Sequence, residues 1–216
     1  MKLLDYENPL MQILTKMGNL IWLNLLTVAC CLPVVTAGAA FAALDTLVLR
    51  IVRQKDSAVT GAYFRAFREN FRQGTLVWLI LLAGYGLVAL DFFLVGKMEI
   101  PVIRPLLAVV LGVLVCISLY AFPILARFSN RVSAVIKNAL FMSLAQFPKT
   151  AVMAVCYAVP AGLVWLLEGL LPLWLLFGLS VPAWISAKLY NRLFLRLEQR
   201  ADAPAERDDN PPTHQP

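Results

Sequence analysis

Few side chains in this 216-residue sequence have the chemistry for a site, and Asp45 is the first of them. It stands in FAALDTLVLR, directly after the stretch Gly18 to Leu44, which carries no charge. A carboxylate inside an apolar helix is costly unless it faces a bundle interior or a cation, so such residues mark proton and solute sites in membranes. Arg50 and Lys16 are its conceivable partners. The plainer alternative is an Asp at an interface or in a structural pair. Asn24 and Tyr85 are the other polar candidates within apolar runs, and a transport path would need all three to converge. Ser118 and Tyr120 read as hydrogen-bonding groups between helices, an ordinary packing device. Asp91 and Glu168 read as wetted helix ends.

Other chemistry is missing from the pattern. No nucleophile–base pair, phosphate loop or metal cluster is visible. The sequence therefore predicts no enzyme, no cofactor and no metal ligand. Cys30, Cys31, Cys116 and Cys156 all fall in apolar runs and read as small buried hydrophobes. His214, the single histidine, lies in the tail. The net charge of +6 collects at the edges of apolar runs, where it suits anionic lipid rather than nucleic acid.

What must position these residues is a set of membrane-spanning helices. Hydrophobic residues make up 60% of the chain and charged ones 15%, with mean hydropathy +0.74. Soluble domains run nearer half apolar and a quarter charged. The apolar runs are about 20 residues long, the length a helix needs to cross the bilayer core. Transmembrane barrel strands would alternate over about ten residues, and no such segments occur. The fold class is thus all-α, a polytopic transmembrane helical bundle. Residues 1–197 form its single domain, and 198–216, charged and proline-rich, form a disordered cytoplasmic tail. The start MKLLDYENPLMQILTKMGN lacks the pattern of a cleaved signal peptide, so the first apolar region is expected to be retained.

Four spans are plain: 75–95, 105–125, 150–167 and 170–187. The last two form a tight hairpin, and Pro172 suits the first turn of the second. The N-terminal block decides the total. Helical spacing runs from Pro9 to Arg53, 45 residues, enough for two spans. LPVVT lies at its middle. Pro33 breaks a helix, Thr36 suits an N-cap, and small residues from Ala37 and Gly38 onward follow. We read helices over 9–31 and 36–54 with a structural turn at 32–35, giving six spans; a single kinked helix over 18–44 would give five. Basic residues concentrate in 46–74, in 126–149 and after Ala187, which places these segments and both termini in the cytoplasm. Two of these segments look amphipathic. In YFRAFRENFRQG, Phe64, Phe67 and Phe71 recur at helical spacing, and Arg65, Arg68 and Arg72 follow one residue on. The spacing predicts a short helix, 63–73, lying at the cytoplasmic face as a contact surface. Val132, Val135, Ile136 and Leu140 make a weaker stripe.

The stretch GNLIWLNLLTVACCLPVVTAGAAFAALDTLVLRIVR, followed by YFRAFRENFRQGTLVWLI, resembles the YesL-type family of small bacterial integral membrane proteins. Gly18, Asn24, Leu32, Pro33, Thr36, Gly38, Ala42, Leu44, Arg53, Phe64, Phe67, Asn70, Phe71 and Gln73 carry the resemblance, which is good over about residues 10–80. It implies a multi-pass protein of the bacterial cell membrane with no established activity. It also implies an association with carbohydrate uptake. Asp45 departs from the pattern, which expects a neutral residue there. Two functions follow as expectations. One is an accessory or interaction subunit, with a sugar ABC-transporter permease or a second copy of the chain as partner in the lipid bilayer. The other is a small-solute transporter or channel in its own right.

Overall fold

The computed structural model describes residues 9–53, 58–95, 103–127, 131–167, 169 and 171–202. The chain runs α1 (Pro9–Cys31), a short 3-10 turn (Val34–Thr36), α2 (Ala37–Val52), α3 (Val59–Val95), α4 (Ile103–Arg127), α5 (Val132–Ala145), α6 (Phe147–Leu166), α7 (Leu171–Phe177) and α8 (Ser180–Asp202). Among the described residues no strand occurs, and six helical stretches are long and apolar enough to cross a membrane. The N-terminal block does make two of them, Leu14–Cys31 and Val34–Val52.

Pro33 separates α1 from α2 with an extended backbone, φ −77° and ψ 110°. Thr36 works differently from the N-cap expected of it. Its backbone is already helical, φ −87° and ψ −7°, and its side chain makes no capping bond to α2. The 3-10 turn supplies that partner instead, since the amide of Ala37 donates to the carbonyl of Val34. The Thr36 hydroxyl turns back and is shared between the carbonyls of Cys30, at 2.7 Å, and Pro33, at 2.8 Å. It therefore closes the end of α1, where carbonyls have no intrahelical donor.

α2 is the centre of the bundle, packed against α1, α3, α4 and α8. Of its span 61% is buried, against 11% for that of α3. Its first turns, AGAAFAA, have almost no side-chain bulk, so neighbouring backbones come close. Gly38 is a helical residue at this contact, not part of the turn. A Cβ on Gly38 would run into the carbonyl of Gly74, and one on Gly74 would lie 2.9 Å from the carbonyl oxygen of Gly38. Phe41, Trp78 and Phe122 close the seam of α2, α3 and α4, with ring centroids 5.5 to 6.4 Å apart. The Trp78 indole donates to the Val34 carbonyl at 2.8 Å, fixing the turn to α3.

The structure differs from the sequence reading in further places. The segment 63–73 is no separate helix; it forms the first turns of α3, which runs unbroken through Gly74 and Thr75, and Gly74 serves instead as a close backbone contact with Gly38 of α2. At 37 residues α3 is about 55 Å long, well beyond the bilayer core. The last span is interrupted at Gly178–Leu179. Pro182 has no N–H for the carbonyl of Gly178, and its ring would strike that carbonyl in a continuous helix. α8 also continues to Asp202, five residues into the segment read as tail; 203–216 lie outside the described residues. α5 turns its stripe inward, with Val135 and Ala139 buried against the core.

Candidate functional site

Asp45 is buried, 6% exposed, near the middle of α2. The Tyr190 hydroxyl of α8 faces its carboxyl, and Tyr157 of α6 lies within reach of its charge. Arg50 and Lys16, the partners the sequence offered, are not among these neighbours. Arg53, two turns further along α2, donates from Nε to Asn191 Oδ1 at 2.8 Å and also acts on Tyr190. Ser186 faces Tyr157 one turn before Tyr190 on α8. Tyr190 and Ser186 are each 1% exposed. Sequence reasoning missed Tyr157, Ser186 and Tyr190. Ser186 and Tyr190 are spaced four apart, but nothing local points them at Asp45.

Asn24 is fully buried elsewhere. Its Nδ2 donates to the carbonyls of Leu175, at 2.7 Å, and Trp174, at 3.4 Å. Its Oδ1 accepts from the amides of Leu179 and Ser180, both at 2.8 Å. One side chain thus satisfies both sides of the break between α7 and α8. A break at membrane depth is tolerated only where protein supplies such partners. Tyr85 lies at a third place. Its hydroxyl meets Ser118 Oγ at 2.9 Å, and because Ser118 donates to the Leu114 carbonyl, Tyr85 is the donor. The three polar candidates do not come together.

The first turns of α3 divide the aromatic stripe. Tyr63 and Ala66 are buried and Phe67 partly so, while Phe64 and Phe71 are exposed. Tyr63 anchors the segment to α2, reaching the Ala40 carbonyl at 3.4 Å. The Trp22 indole of α1 donates to Thr60 at 2.8 Å. Arg65, Arg68 and Arg72 are all exposed. An open groove of about 410 Å³ lies between α6 and the α7–α8 break, lined by apolar groups including Val159, Leu163, Trp174 and Pro182. Its lining suits lipid tails, not a polar solute. Among the described residues no group of His, Cys, Asp or Glu is placed to hold a metal, and all four cysteines are free. Glu168 and His214 lie outside the described residues.

Comparison with known proteins bears out the resemblance read from the sequence. Residues 18–92 match the family described as "Protein of unknown function, DUF624". The chain is 24% identical over 147 residues to the "Uncharacterized protein YesL" of Bacillus subtilis (strain 168), covering 68% of this chain and 69% of that protein. No solved structure matches it.

Proposed function

We propose that this chain is a non-catalytic membrane subunit that binds another membrane protein through the base of α3, with both termini cytoplasmic. The observation that carries this reading is how polar groups are spent. Asn24, Thr36, Tyr85 and Trp78 each close a bond inside the bundle. Arg65, Arg68 and Arg72, with Phe64 and Phe71, are exposed on turns of α3 that a single crossing does not need. Anchoring to lipid would give each arginine about 1 kcal/mol at an anionic surface. The spans already hold the chain in the bilayer, so such an anchor adds little. The partner class, a sugar ABC-transporter permease, rests on the association that the YesL resemblance implies.

Affinity purification from gentle detergent, followed by mass spectrometry, is expected to recover a sugar permease. A pure homo-oligomer would contradict this and turn attention to the second reading, a small-solute transporter, which the buried Asp45 favours. A cysteine at residue 4, in a cysteine-free background, is expected to resist an impermeant reagent added from outside. Labelling there would overturn the orientation.

A further inference from the structure

The turn between α1 and α2 has the wrong chemistry for a loop in water. Its outward side chains are aliphatic: Leu32, Val34 and Val35 are 80%, 58% and 52% exposed. A contiguous exposed apolar group of this kind marks a surface that something apolar covers. Its polar groups turn inward. The Thr36 hydroxyl serves the carbonyls of Cys30 and Pro33, and the Trp78 indole serves that of Val34. The amides of Leu32 and Thr36 donate to Ala29 and Pro33. Irregular backbone at membrane depth requires such internal partners, whereas a wet loop can leave them to water. The height of the turn is fixed as well. Trp78 stands in the first turn of the apolar run 75–95, which at about 30 Å is as long as the bilayer core is thick. α3 continues for about 25 Å past Trp78. Below that level Gly38 touches Gly74, and Trp22 of α1 meets Thr60 in the first turn of α3. The hairpin thus rises beside the basic turns of α3 and ends where the apolar run begins.

We propose that α1 and α2 form a re-entrant hairpin. It enters the bilayer from the side of the α3 base, seats Leu32, Val34 and Val35 among lipid acyl chains, and returns to the same side. Both helices are long and apolar enough to cross, but α2 is 61% buried, so its composition is accounted for by the helices around it rather than by lipid. A crossing hairpin would put the far surface of the membrane at Trp78. The rest of α3, with Leu87, Leu90 and Phe92 exposed and Asp91 its single charge, would then stand in water. The re-entrant arrangement leaves that stretch in the bilayer and gives the aliphatic turn an apolar solvent. It goes beyond the proposed partner role and does not depend on it.

The test uses the full-length chain in phospholipid vesicles. A nitroxide is attached to a single cysteine, Val34→Cys in one sample and Met98→Cys, between α3 and α4, in the other. Oxygen, which partitions into lipid, and a water-soluble nickel chelate present on both sides of the membrane report what surrounds each label. The label at 34 is expected to be open to oxygen and several-fold less accessible to nickel than the label at 98. Equal nickel access at the two positions overturns the proposal, because a crossing hairpin would bring both to the same surface. Shielding of position 34 from both reagents also overturns it, since protein rather than lipid would then cover the turn. Should removal of the native cysteines prevent folding, Val35→Asp in the otherwise unaltered chain is expected to lower the melting temperature in vesicles by several degrees, since a carboxylate among acyl chains is costly. An unchanged melting temperature there would place the turn in water and overturn the proposal.

Discussion

The bundle interior and the first turns of α3 use polar side chains in opposite ways. Inside, Asn24, Thr36, Trp78, Tyr85 and Thr150 direct their polar atoms at groups of the chain itself. On the base of α3, three arginines and two phenylalanines are exposed. In an apolar solvent an unpaired polar group is so unfavourable that most interior ones must serve the fold. Groups at a wet edge carry no such obligation. Interior substitutions should therefore cost stability, and substitutions at the base of α3 should not.

The largest loss is expected for Asn24→Ala. It strands the amides of Leu179 and Ser180 and the carbonyl of Leu175, each an unsatisfied buried group costing about 1–3 kcal/mol. Thermal unfolding in detergent should show a fall of more than ten degrees or no folded protein; an unchanged midpoint would mean the α7–α8 break is held some other way. Gly38→Ala comes next. The new methyl meets the Gly74 backbone, which cannot rotate away, so overpacking of about 1–3 kcal/mol is expected. Gly18→Ala, inside α1 with nothing near the added methyl, is the control and should be neutral to slightly stabilising. Thr36→Val keeps the shape and removes one hydroxyl bond to the end of α1, a loss of about 1 kcal/mol. Full stability with altered function would instead make that turn a site. Tyr85→Phe, which deletes one interhelical bond, is the smallest, about 0.6 kcal/mol.

What the sequence discloses depends on how local the cause is. The division of Pro9–Arg53 was legible because length and Pro33 sit in one stretch. The break at Gly178 was equally local, through Pro182, but an even apolar run masks a proline whose effect falls four residues earlier. The continuity of α3 was obscured in another way: a change from basic to apolar residues at Gly74 and Thr75 resembles a boundary, whereas the glycine serves close packing against Gly38. The role of Asn24 was out of reach, since the backbone it satisfies lies about 150 residues on. The Asp45 surroundings were half legible. The carboxylate stands out in its apolar run, while its hydroxyl neighbours are ordinary residues of α6 and α8 until the fold brings them together.

The contrast between the two regions is tested most directly by the double variant Arg65→Glu, Arg72→Glu. Expression level and melting temperature are measured beside recovery of partners from gentle detergent. The expected result is unchanged expression and stability with loss of the co-purifying permease. A variant that keeps every partner of the wild type would contradict the account, leaving the base of α3 as an anchor in the lipid headgroups.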